Sequence, residues 1–144
     1  LFCGLGNFTL AAATRSREVV GVEVSETMVH RVLQNARHNS LDNIQAVAFD
    51  LTKSIAEQSW AKVPWDTLIV DPPRSGAKEV LEELPLKNIQ RVLYVSCKPA
   101  TLARDSKLLI ERGFKMTHLG MMDMFPHTAH MESMALFVQR GARG

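Results

Sequence analysis

The chain has little cysteine: two in 144 residues, Cys3 and Cys97, far apart and unmatched to any metal spacing. That scarcity excludes a disulfide framework and points to a reducing compartment, so a cytoplasmic protein is expected. No apolar run approaches the roughly 18 residues that a membrane helix needs, so no membrane partner is expected, and no signal peptide is visible. The formal net charge of +2 is too small to demand a polyanionic partner, although it does not oppose one. Repeats, linkers and low-complexity segments are absent too. What remains is ordinary for a globular domain, with 46% hydrophobic and 22% charged residues and enough length for one domain with a real core. The chain opens on Leu1, without methionine, directly in a glycine loop, and is expected to be a fragment whose upstream part is absent.

Strand-like and helix-like segments alternate, the pattern of a parallel sheet covered by helices. Leu1 and Phe2 read as the last scrap of a truncated first strand, followed by a glycine turn and a short helix over 8–14. Strands are expected at 18–23, 44–49, 65–70 and 91–96. Ser25 caps a helix running to His38, with Met28, Val29, Val32, Leu33 and Ala36 on one face. Further helices are expected at 52–60, 78–84 and 99–112, the last closed by Gly113. The final strands, 114–121 and 133–139, are joined without a helical pattern and should lie antiparallel. Cys3, Trp60, Trp65 and most methionines read as packing residues.

Successive strand ends carry Gly4 and Gly6, then Glu23, Asp50, Asp71 and Cys97. Open α/β sheets bind ligands at that edge, so glycine, three acids and a thiol in series describe a crevice. A Gly-x-Gly turn alone can serve tight packing. Glu23, about 20 residues further on, has the position that grips ribose hydroxyls in dinucleotide folds. The third glycine of a pyrophosphate loop is missing, which favours a nucleoside ligand without phosphates. Asp71 stands before Pro72 and Pro73, whose stiffness would hold it at the sheet edge to bond a base or an amino group; a capped turn is the plainer reading. Arg74 reads equally as a phosphate contact or a solvated loop residue.

Cys97 sits where a buried strand hands over to a helix beginning at Pro99. The helix dipole and the adjacent Lys98 both favour thiolate. A buried packing cysteine is the alternative. The segment 123–133 mixes polar and apolar residues without either period, as a site loop does, and Glu132 within it leads into the last strand on the Cys97 side. His127 and His130 lack further ligands at suitable spacing, so no metal site is expected.

Four stretches, LFCGLGNFTL (1–10), DPPRSG (71–76), VSCKPATLARD (95–105) and DMFPHTAHMES (123–133), together give a resemblance. The chain is similar to the catalytic domain of the S-adenosylmethionine-dependent RNA uridine-5 methyltransferases. Within that family it resembles most the bacterial branch that methylates a uridine of 23S ribosomal RNA. The tRNA branch tends towards a Gln-Phe-Pro-Tyr loop where Met124-Phe125-Pro126-His127 stands here. The resemblance implies an α/β, Rossmann-like class I methyltransferase fold, mostly parallel with an antiparallel last strand. It implies S-adenosylmethionine as cofactor, held by Phe2, Gly4, Gly6, Asn7, Glu23, Asp50 and Asp71, with Asp71 and Arg74 on the RNA substrate. It also implies Cys97 as nucleophile and Glu132 as base. Some relatives carry an iron–sulfur cluster on upstream cysteines; two cysteines cannot supply its four thiolates, so a cluster is possible only upstream.

Two rivals remain. An exocyclic-amine methyltransferase would use Asp71-Pro72-Pro73 to grip the amine, but such sites usually have an aromatic where Arg74 stands and need no thiol. A binding module would hold a nucleoside without chemistry. The oligomeric state stays open, with a monomer as the default expectation.

Overall fold

The computed structural model describes residues 1–122 and 132–141. The chain forms two compact units, Leu1–Lys53 and Ser54–Gly144.

In the first unit the chain enters through three left-handed residues, Phe2 (φ 57°), Gly4 (φ 52°) and Gly6 (φ 91°). The Gly6 N–H donates to the Cys3 carbonyl at 2.8 Å, and the Gly6 carbonyl then accepts from Leu10, starting α1 (Asn7–Ala13). Leu1 and Phe2 do not form the expected strand end. The left-handed turn at Phe2 breaks extended geometry, and Cys3 N–H bonds the Val22 carbonyl at 3.0 Å. Strand β1 (Val19–Glu23) pairs parallel with β2 (Ile44–Ala48), Glu23 standing opposite Ala48.

Between these strands runs α2 (Glu26–His38). Ser25 Oγ accepts the Met28 N–H at 3.4 Å, Glu26 occupies the first turn, and Arg37 and His38 the last, complementing the helix dipole. Val29, Val32 and Ala36 are buried, as their i, i+3, i+7 spacing requires. Met28, expected on that face, is instead exposed. At about 100° per residue it lies roughly 70° from the centre of the buried stripe. Ser40, left-handed at φ 55°, ends the helix, with Leu41 N–H bonded to the Ala36 carbonyl at 2.9 Å.

The α-helix expected over 52–60 is not formed. Asp50 Oδ1 captures both the N–H and hydroxyl of Thr52, a turn that competes with helix initiation. Glu83 Oε2 takes the Ser54 hydroxyl and the Ile55 N–H, and only a 3-10 turn, Ser59–Lys62, remains.

In the second unit β3 (Thr67–Val70) pairs parallel with β4 (Arg91–Ser96), and α3 (Lys78–Glu83) lies between them in sequence. Helix α4 (Pro99–Glu111) leads from β4 to β5 (Phe114–Met122), and β6 (Glu132–Gln139) pairs antiparallel with both strands. The strand order is β3-β4-β6-β5, so β6 is the one strand of this sheet that runs against the rest, as expected for the last strand. Central β4 carries the most deeply buried run, with Val92 and Tyr94 inaccessible and Val95 nearly so. Gly113, at φ 94°, closes α4, and the Arg112 guanidinium caps the end of α3 by donating to the Leu81 and Leu84 carbonyls. Among the described residues no helix is long and apolar enough to cross a membrane.

Gly6 tests the entry loop. A Cβ there would lie 2.6 Å from Leu10 Cδ1 and 3.2 Å from both Val32 methyls, at a left-handed φ. Gly6→Ala should destabilise the protein by about 1–3 kcal/mol in urea unfolding. Wild-type stability would mean that the loop can relax.

Candidate active site

At the edge where β1 and β2 end, Glu23 staples the glycine loop to the start of α2. Its Oε2 accepts the Gly4 N–H at 3.0 Å and its Oε1 the Ser25 N–H at 3.2 Å. A carboxylate has about four acceptor sites, so capacity remains for hydroxyl donors. The two glycines of the loop divide the work. Gly6 is a packing glycine, pressed on Leu10 and Val32, whereas nothing lies within 4 Å of a Cβ built at Gly4. The backbone at Gly4 is therefore open to close approach.

Phe2, half-buried and left-handed, is a bulky residue in a conformation that favours glycine, the kind of strain that gathers at ligand sites. Asn7 opens α1 and is exposed. Asp50 follows β2 two residues on, where Phe49 N–H bonds the Glu23 carbonyl at 2.9 Å. The Thr52 hydroxyl and N–H hold its carboxyl below the usual carboxylate range, so it is ionised at neutral pH. Gly4, Glu23 and Asp50 thus share one edge of the first unit. These residues fit a ligand with hydroxyls and a flat group close to the backbone, as an adenosine has. Cys3, half-buried, has its thiol pushed up by burial, which disfavours the thiolate.

The second unit gathers Asp71, Cys97 and Glu132 at one edge of its sheet. Asp71 follows the last residue of β3, Cys97 follows the last residue of β4, and Glu132 opens β6. Ser96 and Ser133 are the last cross-strand pair of β4 and β6. Cys97 and Glu132 each adjoin that pair, Cys97 just after the end of β4 and Glu132 as the first residue of β6. Cys97 is exposed, not buried for packing. The turn beneath it is braced: Ser96 Oγ accepts the Lys98 N–H at 3.1 Å and donates to the Lys98 carbonyl, which also receives the Thr101 hydroxyl. Burial and then the Glu132 carboxylate raise the pKa of Asp71, although much of that residue is open to solvent. The two acids are therefore electrostatically coupled. Arg74 is exposed on the same loop as Asp71.

One residue of this region escaped the sequence reading. Asp105 of α4 is fully buried. Its Oδ2 accepts the Tyr94 hydroxyl at 2.6 Å and the Ala77 N–H at 2.7 Å, and its Oδ1 accepts Arg104 Nε at 2.8 Å. Arg104 Nη2 also donates to the Ser75 carbonyl at 2.9 Å. Burial, and then the bond to Asp105, push the Tyr94 phenol well above its ordinary value, so it remains a donor. The signal was in the periodicity: Asp105 shares the helix face of Thr101, Leu102 and Leu109, all buried, and an acid on such a face needs partners.

Asp123, His127 and His130, part of the expected site loop, lie outside the described residues. Among the described residues no three His, Cys, Asp or Glu side chains are grouped to hold a metal.

Residues 1–140 match the tRNA (uracil-5-)-methyltransferase family. The chain is 55% identical over 141 residues to a 23S rRNA (uracil(1939)-C(5))-methyltransferase RlmD of Xanthomonas axonopodis, covering 97% of this chain and 32% of that protein. It is 51% identical over 137 residues to the RlmD of Alcanivorax borkumensis, covering 95% and 31%. The chain thus spans about a third of the length of these curated relatives. Among solved structures it superposes on the Pyrococcus abyssi tRNA (uracil-54, C5)-methyltransferase in complex with S-adenosyl-L-homocysteine, with a TM-score of 0.79, 30% identity and coverage of 95% and 33%. A Synechocystis magnesium protoporphyrin IX methyltransferase with bound SAM shares the fold alone, with a TM-score of 0.72 at 20% identity, covering 96% of this chain and 67% of that one. The fold is the α/β, Rossmann-like methyltransferase fold. Its fit to the family runs through both units, and the chain belongs to the tRNA (uracil-5-)-methyltransferase family.

Proposed function

We propose that this chain is the catalytic part of an enzyme that methylates carbon 5 of a uridine in RNA, with 23S ribosomal RNA as substrate, through a covalent adduct on Cys97. The observation that carries the reading is that an exposed thiol, Cys97, and a carboxylate, Glu132, each adjoin the last cross-strand pair, Ser96 and Ser133. An exocyclic-amine methyltransferase has no use for that thiol. The ribosomal substrate is favoured because identity to the RlmD enzymes, 51% and 55%, exceeds the 30% to the tRNA enzyme. The family's own description keeps a tRNA substrate as the second reading.

The roles follow from the chemistry. Carbon 5 of uracil is a poor nucleophile. Addition of the Cys97 thiolate to carbon 6 converts the ring to an enolate and places electron density on carbon 5. S-adenosylmethionine, when bound, supplies an electrophilic methyl group on a sulfonium. Once carbon 5 carries the methyl group, Glu132 removes its proton, the ring double bond reforms, and the carbon 6–sulfur bond breaks to release Cys97. Asp71 holds the uracil edge, and Arg74 contacts the RNA. Phe2, Gly4, Asn7, Glu23 and Asp50 hold the cofactor in the first unit, on a loop that Gly6 shapes by packing, and the open backbone at Gly4 and the spare acceptor capacity of Glu23 support that assignment. A stacked uridine cannot reach such groups, so the target base is flipped out or already unpaired.

In the full-length natural protein, Cys97→Ala should lower turnover by roughly 10⁴-fold or more while calorimetry shows near-normal S-adenosylmethionine binding. Full methylation by that variant would remove the covalent scheme. Glu132→Gln should leave the methylated adduct unable to resolve, seen as an RNA–protein band on denaturing gels. Absence of that band would assign the proton to another base. Mapping the modified nucleotide in RNA from cells lacking the gene separates ribosomal from transfer RNA.

A further inference from the structure

We propose that Asp105 is a positioning residue for this reaction, locking the loop that carries Asp71 and Arg74 to the strand and helix that carry Cys97. The inference rests on the functional reading above. Asp105 receives bonds from three directions: from β4 through the Tyr94 hydroxyl, from the loop through the Ala77 N–H, and from its own helix through Arg104. Arg104 extends the grip to the Ser75 carbonyl. Gly76, at φ 85°, lets the loop lie against this knot; a Cβ there would collide with Arg104 Nη2 and come within 2.7 Å of Asp105 Oδ2.

Stability alone is a poor account of such a group. An apolar residue of similar volume often serves a core as well as a buried carboxylate or better. What the carboxylate adds is direction: it fixes Ala77, six residues after Asp71, and Tyr94, three before Cys97, to a single centre. Neither Asp105 nor Tyr94 needs to touch the substrate. Each sets the spacing between groups that do.

The test uses the full-length protein and the variants Asp105→Asn, Tyr94→Phe and Gly76→Ala. Calorimetry with S-adenosylmethionine counts competent sites, and turnover on RNA is then expressed per site. Asp105→Asn and Gly76→Ala should lose about tenfold to hundredfold in kcat per site, the scale of an ångström-sized misplacement. Tyr94→Phe, which deletes one bond and no charge, should lose several-fold, with cofactor affinity unchanged in every case. A merely structural role would reduce the number of competent sites and leave kcat per site alone. Should Asp105→Asn fail to fold, Tyr94→Phe decides. Turnover per site within about twofold of wild type, a barrier change of under half a kcal/mol, would overturn the proposal. A wild-type protein that does not methylate carbon 5 would overturn the functional reading and this proposal together, whereas an active wild type with unaffected variants overturns this proposal alone.

Discussion

The antiparallel register of β6 on β4 is the constraint on which the catalytic edge depends. Side chains alternate faces along a strand, so a slip of one residue would turn Glu132 to the opposite face of the sheet. The register is held along the whole contact, from Arg91 opposite Val138 to Ser96 opposite Ser133. Buried Phe137 and Ala135 stand opposite buried Val92 and Tyr94, so a slipped register would turn these two out of the packed face and put Met134, Leu136 and Val138 in their place. An irregularity in β5 between Met116 and His118 is absorbed on the far side of β6, away from β4. Burial of the strand thus fixes where Glu132 stands relative to the end of β4.

The first unit solves a different problem. Its loop must bring backbone close to a ligand while remaining anchored, and Glu23 anchors it with both carboxylate oxygens. Gly6 is tightly packed, Gly4 is open, and Phe2 is held in a conformation unusual for its type. The loop thus combines an anchored, tightly packed half with a backbone left open at Gly4.

Much of this was legible in the sequence because the signals were local. The run 91–96 gave the central strand without error, Ser25 and Pro99 gave helix starts, and Glu23, Asp71 and Cys97 fall at or just after strand ends, although the single crevice expected of them is divided between two units. Errors arose where distant groups decided the local structure. Residues 52–60 have a helical composition, but Glu83, nearly thirty residues away, captures the Ile55 N–H. Met28 lay on the margin of a stripe whose width only packing defines. Asp105 closes the stretch VSCKPATLARD but was given no role of its own, because its partners are a loop N–H and a tyrosine hydroxyl that no spacing rule links to it.

Burial first, and the Glu132 carboxylate second, raise the proton affinity of Asp71, which bears on what the proposed site can admit. Two mutually repelling carboxylates at one rim make it hostile to a phosphodiester, whose charge would be a third of the same sign. A neutral heterocycle meets no such opposition and finds acceptors for its imide hydrogen. On the function proposed above, this rim favours a neutral base over the charged backbone to which it is joined, and leaves backbone contact to Arg74 further along the loop.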